Sequence, residues 1–210
     1  MNAKTHSGFS LLELLVTLMV AGIVLGFGVP NFMEFQRNNA MISVANEMIS
    51  ALYLARTEAV KRQVPVTLCA SPNPIAGAPA CGVGGNGGFI VFVDENNNGV
   101  LGDPTDGNAI VDANEVILLQ RVGPGGTINL FGNGGQYVAY GTNGFLMPTA
   151  VGQGLPSTTV ILYCDDRGNS DTGGRSSARV VNVAPTGRAQ VMRNQADVTT
   201  AVAATGGICP

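Results

Sequence analysis

Residues 8–29 read GFSLLELLVTLMVAGIVLGFGV, and the reading of this stretch decides the rest. From Phe9 to Val29 the only charge is Glu13, and the only hydroxyls are Ser10 and Thr17. At about 1.5 Å per residue such a segment, as a helix, is roughly 30 Å long, enough to cross the hydrocarbon core of a bilayer. A lone carboxylate there costs roughly 2 kcal/mol or more even on lenient insertion scales, so it calls for a partner charge. A secretory signal peptide would end near Gly26-Phe27-Gly28, a passable small-x-small site. Against that reading, Glu13 interrupts the apolar region and helical patterning continues past Gly28. A plain membrane anchor explains the apolar run but neither the Gly8-Phe9 junction nor Glu13.

A short leader ending in Gly8, then Phe9-Ser10-Leu11-Leu12-Glu13, then an apolar run with Pro30 at its end, resembles the precursor of a type IV pilin or pseudopilin. The resemblance implies that a prepilin peptidase cuts after Gly8 and that the new amino terminus, Phe9, is N-methylated. Glu13 becomes the fifth residue of the mature chain, the acidic position that in this family pairs with the terminal amine of a neighbouring subunit. A buried charge is tolerable when an opposite charge neutralises it, and loss of one partner strands the other at several kcal/mol. The implied location is the inner membrane, crossed once, with the head in the periplasm and the subunit later in a fibre. The implied partners are other pilins or pseudopilins and the inner-membrane assembly platform.

The chain has 210 residues, room for one ordinary domain beyond an anchor. Charged residues make up only 12%, and the net charge of −3 falls to about −4 once Lys4 leaves with the leader, 10 basic against 14 acidic residues. A mildly acidic surface exerts no general pull on nucleic acid, so any such contact needs a local basic patch.

Helical patterning runs on past the apolar stretch. Pro30 removes one backbone donor and kinks or loosens a helix without having to end it. Met41, Val44, Met48, Leu52, Ala55 and Ala59 recur at three- and four-residue steps, with charged and amide residues on the other faces. Glu58 and Arg62 form an i, i+4 pair, and Pro65 stops the pattern. The expected divisions are a leader at 1–8, a transmembrane or fibre-core helix at 9–30, a helix packing on the head at 31–64, and a β-rich head at 65–210. A coiled coil is the alternative for the second helical half, but the heptads are irregular.

Beyond Pro65 the period changes to strands separated by Gly, Asn and Pro. Strands are expected at 66–69, 89–93, 115–121, 127–130, 137–140, 159–164, 178–183 and 189–193. The fold class expected is α+β: one long amino-terminal helix, transmembrane in its first half, packed on a mainly antiparallel β-sheet domain. Here Ala55-Arg56-Thr57-Glu58-Ala59-Val60 followed by Val66-Thr67-Leu68-Cys69 resembles the GspH/FimT family of minor pilins and pseudopilins. So do Val91-Phe92-Val93-Asp94, Cys164-Asp165-Asp166-Arg167-Gly168 and Thr186-Gly187-Arg188. The resemblance implies the type IV pilin fold.

Four cysteines allow three pairings, and an oxidising periplasm would preserve disulfides. The expected pairs are Cys69 with Cys81, closing a short Pro/Gly loop, and Cys164 with Cys209, tying back the carboxy terminus. Metal binding is the alternative, but there is no C-x-x-C and His6 lies in the leader. Asp94, Asn96 and Asn98 with Gly99 match the opening of an EF-hand-type calcium loop. Thr105 stands where a bidentate Glu belongs, leaving Asp103, Asp106, Asp112 or Glu115 to substitute; the other reading is an Asn/Gly turn. No other cofactor is expected. Arg167, Arg175, Arg179, Arg188 and Arg193 could form a basic patch, and some FimT-like proteins bind DNA through a motif that begins Gly-Arg. Gly187-Arg188 fits that start and makes Arg188 and Arg193 the candidate contacts, yet Ala189-Gln190 follows where a second arginine would be hoped for.

Catalysis finds no support: no histidine survives processing and no phosphate-cradling Gly-Lys-Ser/Thr loop exists. Asp165-Asp166 reads as a turn rather than a carboxylate pair. The expected function is that of a structural minor pilin of a type IV pilus that supports its assembly. The alternatives are a minor pseudopilin of a type II secretion system and a DNA-binding minor pilin in transformation.

Overall fold

A single helix, α1 (Leu11–Arg62, 52 residues), fills the amino-terminal part of the chain. The computed structural model describes residues 9–77, 79, 81, 88–93, 115–123, 129–132, 137–147, 159–204 and 209. The chain divides into two compact units, Met1–Asn39 and Ala40–Pro210. In the first unit α1 is apolar around its whole circumference. Leu11, Leu12, Leu14, Leu15, Val16, Leu18, Met19 and Val20 are all exposed, as are Ile23, Val24, Leu25 and Phe27. The segment is long and apolar enough to cross a membrane by length and composition. The helix passes through Pro30, and the Asn31 side-chain amide donates to the Phe27 carbonyl at 3.0 Å in the turn around that proline.

In the second unit the apolar residues of α1 narrow to a stripe. Met41, Val44, Met48, Leu52, Ala55 and Ala59 are buried, joined by Ala45 and Ala51. The helix ends at Arg62, two residues short of the expected end at 64. Gln63 takes a left-handed φ of 58° while its N–H still reaches the Ala59 carbonyl at 3.0 Å, an αL termination immediately before Pro65 blocks further helix.

Eight strands follow among the described residues. They are β1 (Val66–Ser71), β2 (Gly88–Val93), β3 (Ile117–Arg121), β4 (Asn129–Gly132), β5 (Tyr137–Tyr140), β6 (Thr159–Cys164), β7 (Arg175–Val183) and β8 (Ala189–Asn194). They build two four-stranded sheets in the orders β3-β2-β1-β5 and β4-β6-β7-β8. All the ladders are antiparallel. The α+β architecture expected from the sequence is therefore the one present.

Alternation along the strands sorts side chains onto two faces. Val66, Leu68, Phe89, Val91, Val93, Val138 and Tyr140 of the first sheet share one core with Ile161, Tyr163, Val181 and Val183 of the second, and with the stripe of α1. The intervening residues face away. Leu162, Cys164, Ala178 and Val180 form a second cluster that a short helix, α2 (Gln195–Ala204), closes with Val198 and Ala201. Cys69, Ile90 and Phe92 form a third, with Cys81 against it. Strands β1 and β2 are buried along their whole length because both of their faces are covered.

Further details differ from the sequence reading. Strand β3 starts at Ile117 rather than Glu115. Strand β4 lies two residues later than expected. Strand β7 starts at Arg175 rather than Ala178, because the pairing with β8 resumes across a register shift between Arg175 and Val180. Helix α2 was not expected: Val198, Thr199, Thr200 and Val202 are β-branched and weak helix formers. What starts it is Asn194, whose side-chain oxygen accepts the Ala196 N–H at 3.0 Å as an N-cap.

Two glycine turns interlock at the helix. Gly144 (φ 75°) and Gly187 (φ 80°) both have left-handed backbone. A Cβ on Gly187 would overlap the Gly144 carbonyl and lie 3.0 Å from Tyr140 Cε1 and 3.2 Å from Arg56 Nε. Gly173 (φ 64°) has the same backbone sign but open space around it. Gly173→Ala should therefore cost about 1 kcal/mol, the left-handed penalty alone. Gly187→Ala should cost more than about 3 kcal/mol, because backbone must move as well. Denaturant melts of the two variants check this; equal losses would mean the turns do not interlock.

Candidate functional site

Two groups of residues carry the chemistry that the sequence singles out: the amino-terminal turn of α1, and the arginines of the last third. Glu13 lies in the first turn of α1, where the unpaired N–H groups and the helix dipole favour negative charge. It is exposed and has no ion-pair partner among the described residues. Phe9 precedes the helix and is 81% exposed, and the leader residue Gly8 lies outside the described residues. A carboxylate thus sits one turn from the candidate amino terminus, on a rod whose apolar side chains have no cover inside their own unit.

The arginines divide sharply. Arg188 is exposed beyond the Pro185–Gly187 turn, closed by Gly187 N–H to the Ala184 carbonyl at 2.8 Å and Ala184 N–H to the Arg188 carbonyl at 2.9 Å. Its neighbour Gly187 is held from the other side. The Arg56 Nη1 and Tyr140 hydroxyl both donate to the Gly187 carbonyl at 3.5 Å. Arg193 is half-buried, and its Nε donates to the Ser176 carbonyl at 3.2 Å. Arg188 and Arg193 are five residues apart along an extended strand, about 16 Å, and alternate in facing. They do not converge on one spot.

Arg179 is buried, against its expected place in a surface patch. Its Nη1 lies 3.0, 2.9 and 2.9 Å from the carbonyls of Ser176, Ser177 and Ala178. Its Nη2 has no partner among the described residues. Burial, with Arg193 and Arg167 nearby, pushes this guanidinium down to about 10, so it is still charged at neutral pH. Arg167 forms a fork with Asp165, Nε to Oδ2 at 2.9 Å and to Oδ1 at 3.1 Å, in the turn that follows β6. Asp165 is buried in this pair while Asp166 is exposed, so the two carboxylates do not work together. Of the five arginines only Arg175 and Arg188 are exposed. The internal roles of the other three come from a bulge and a turn that residue spacing does not display.

Cys69 is joined to Cys81 and Cys164 to Cys209. The candidate calcium residues Asp94, Asn96 and Asn98 lie outside the described residues. Among the described residues no three His, Cys, Asp or Glu side chains converge as a metal site would require.

Two buried phenols give the head a pH signature. Burial, with a smaller push from Glu47, raises Tyr163 well above the usual phenol value, and its hydroxyl has no hydrogen-bond partner among the described residues. Burial likewise raises Tyr140, against the opposing pull of the Arg56 charge. Folded values raised above the unfolded value of about 10 give a stabilisation that is complete below that pH and lost as pH rises beyond it. The melting temperature should fall above about pH 10, with the phenolate absorbance of Tyr140 and Tyr163 appearing only as the head unfolds. Tyr163→Phe should shrink that alkaline loss without lowering stability at pH 7; an unchanged pH profile would contradict the assignment.

Residues 44–187 match the family model described as type II transport protein GspH. Residues 3–29 match the prokaryotic N-terminal methylation motif. Among solved structures, the chain is similar to the type IV minor pilin FimU of Pseudomonas aeruginosa (strain PAO1) in two crystal forms. The P21 form is 19% identical with a TM-score of 0.47, the match covering 75% of this chain and 92% of that one. The P65 form is 18% identical with a TM-score of 0.44, covering 71% and 90%. No curated protein sequence matches the chain.

Proposed function

The chain belongs to the GspH family, the type II transport proteins of pilin and pseudopilin type, and from that membership we propose that it is a structural minor pilin that enters a type IV pilus and supports its assembly. The observation that carries this reading is the amino-terminal rod: an apolar helix uncovered on every side, with one carboxylate in its first turn, inside a methylation motif.

The mechanism is assembly by helix stacking. Before processing, the apolar segment rests in the inner membrane with the head in the periplasm. A prepilin peptidase cuts between Gly8 and Phe9 and leaves an amine, then methylated, on Phe9. When the rod leaves lipid for a bundle of similar rods, its apolar side chains exchange one dry environment for another, so little hydrophobic free energy opposes the transfer. The charges decide the partner. An amine from one subunit neutralises Glu13 of the next, and a subunit without that neutralisation would carry an unpaired charge into the core at several kcal/mol.

A minor pseudopilin of a type II secretion system is the second reading, favoured by the description of the matching family itself. Both readings use the same rod and differ in partners. Deletion of the gene separates them: loss of surface pili with secretion intact supports the pilus reading, and the reverse supports the secretion reading.

Two outcomes are expected from the native host. Mass spectrometry of the purified protein should find a chain beginning at methylated Phe9; a chain that starts at Met1, or after Gly28, contradicts the reading. Glu13→Ala should reduce incorporation into fibres at least tenfold while the melting temperature of the head stays within about 2 °C, since Glu13 touches none of the core that the head uses. Normal incorporation of that variant would overturn the mechanism.

A further inference from the structure

The interior of the second sheet contains a charged group with no evident use on the surface, and its position connects it to the carboxy-terminal disulfide. Between Arg175 and Val180 the register of β7 against β8 shifts. Arg175 pairs with Asn194 and Val180 with Met192, so five residue steps on one strand oppose two on the other. The extra residues put the carbonyls of Ser176, Ser177 and Ala178 out of step with the ladder, and buried carbonyls without donors cost about 1–3 kcal/mol each. Arg179 Nη1 answers all three, and Arg193 Nε adds a second donor to Ser176.

What the bulge positions lies downstream. Its start sets Gly174 against the helix entry, where the Gln195 N–H donates to the Gly174 carbonyl at 3.1 Å. The Ser176 hydroxyl donates to Asn169 Oδ1 at 2.6 Å, and Gln195 Nε2 donates to the same oxygen at 3.1 Å. Asn194, opposite Arg175, caps α2. Ala178, inside the bulge, is fully buried beside Leu162, Cys164, Val180, Val198 and Ala201, and Cys209 packs against that cluster. Four residues separate the end of α2 at Ala204 from Cys209. Where α2 lies therefore limits how far from β6 the Cys209 thiol can be found.

From this arrangement we infer that Arg179 is a positioning residue for the closure of the Cys164–Cys209 disulfide. By holding the bulge it docks α2, and the docked α2 delivers Cys209 to Cys164 on β6. The two thiols lose two protons and two electrons as the S–S bond forms, and the electrons reduce the disulfide of an exchange partner to two thiols. The Cys69–Cys81 pair, twelve residues apart on the other sheet, closes without this device. The inference holds whichever fibre the chain enters.

The full chain in detergent is reduced in denaturant and refolded with oxidised glutathione as the disulfide donor. Free thiols are alkylated at intervals and mapped by mass spectrometry. Arg179→Met keeps the stem and removes the donors. It should slow closure of Cys164–Cys209 at least tenfold while Cys69–Cys81 closes at the wild-type rate. Arg179→Lys, with its charge and a single donor centre, should be intermediate. Equal slowing of both pairs where both still close, or no slowing of either, overturns the inference. If Arg179→Met leaves both pairs open, Asn194→Ala decides, because it removes only the α2 cap: selective slowing of Cys164–Cys209 supports the positioning role, and equal rates overturn it.

Discussion

Packing of two sheets against one stripe of a helix is the constraint on which the head depends. Met41, Val44, Met48, Ala51, Leu52, Ala55 and Ala59 are what α1 gives to the main core, with Ile49 partly buried against it, and strands from both sheets meet there. Three of the seven are alanine, which keeps the backbone of α1 near the strands and leaves Tyr140, Tyr163 and Phe89 to fill the remaining volume. Interiors are close-packed, so a stripe of small residues and a sheet face of large ones must match position by position. The second faces of the sheets are covered separately: α2 closes one, and Cys81 packs on the other. Both disulfides tie those secondary covers to strands of the main core: Cys69 lies on β1 and Cys164 on β6.

The other part of α1 obeys the opposite rule. A stripe satisfies a helix that has one dry side, whereas residues Leu11 to Phe27 are apolar on all sides. A helix of that kind needs a wholly dry surrounding, a bilayer or a bundle of its own kind. On the proposed reading, one carboxylate in such a segment makes the two surroundings unequal, since only the bundle would supply a cation of fixed position. That asymmetry would give assembly a direction, from lipid into the fibre, resting on a single residue.

How much of this could be read in the chain follows from the range of the interactions concerned. The stripe from Met41 to Ala59 was legible because helical periodicity is local and repeated five times over. The strands were legible where a short, nearly continuous apolar run stood between turn residues, as at Phe89–Val93 and Thr159–Cys164. Helix α2 was not, because its β-branched residues argue for strand and its stability comes from an Asn194 cap and from Val198 and Ala201 meeting a distant sheet face. A closer look at Asn194 and Asp197, polar residues spaced as at a helix start, offered the only signal. Arg179 and Arg193 were read as surface charges because nothing in Ser176-Ser177-Ala178-Arg179 announces a register shift. A bulge is decided by two strands together, and a residue list shows only one of them at a time.

That shift bears on the chemistry of the whole surface. A chain with 11 lysines and arginines has few cations to place, and the last third contributes five arginines. Arg179 serves three backbone carbonyls, Arg193 a fourth contact on the same bulge, and Arg167 a neighbouring carboxylate. All three Arg179 contacts run through Nη1 of a planar group that stays charged at neutral pH. Of these five, the exposed ones are Arg175 and Arg188, one at each end of the β7–β8 pair. Two separated cations do not make a surface that grips a polyanion strongly, since phosphate binding grows with the number of charges neutralised together. The interior demand for arginine thus shapes the exterior, because three of the five arginines in this region are drawn into backbone and carboxylate contacts.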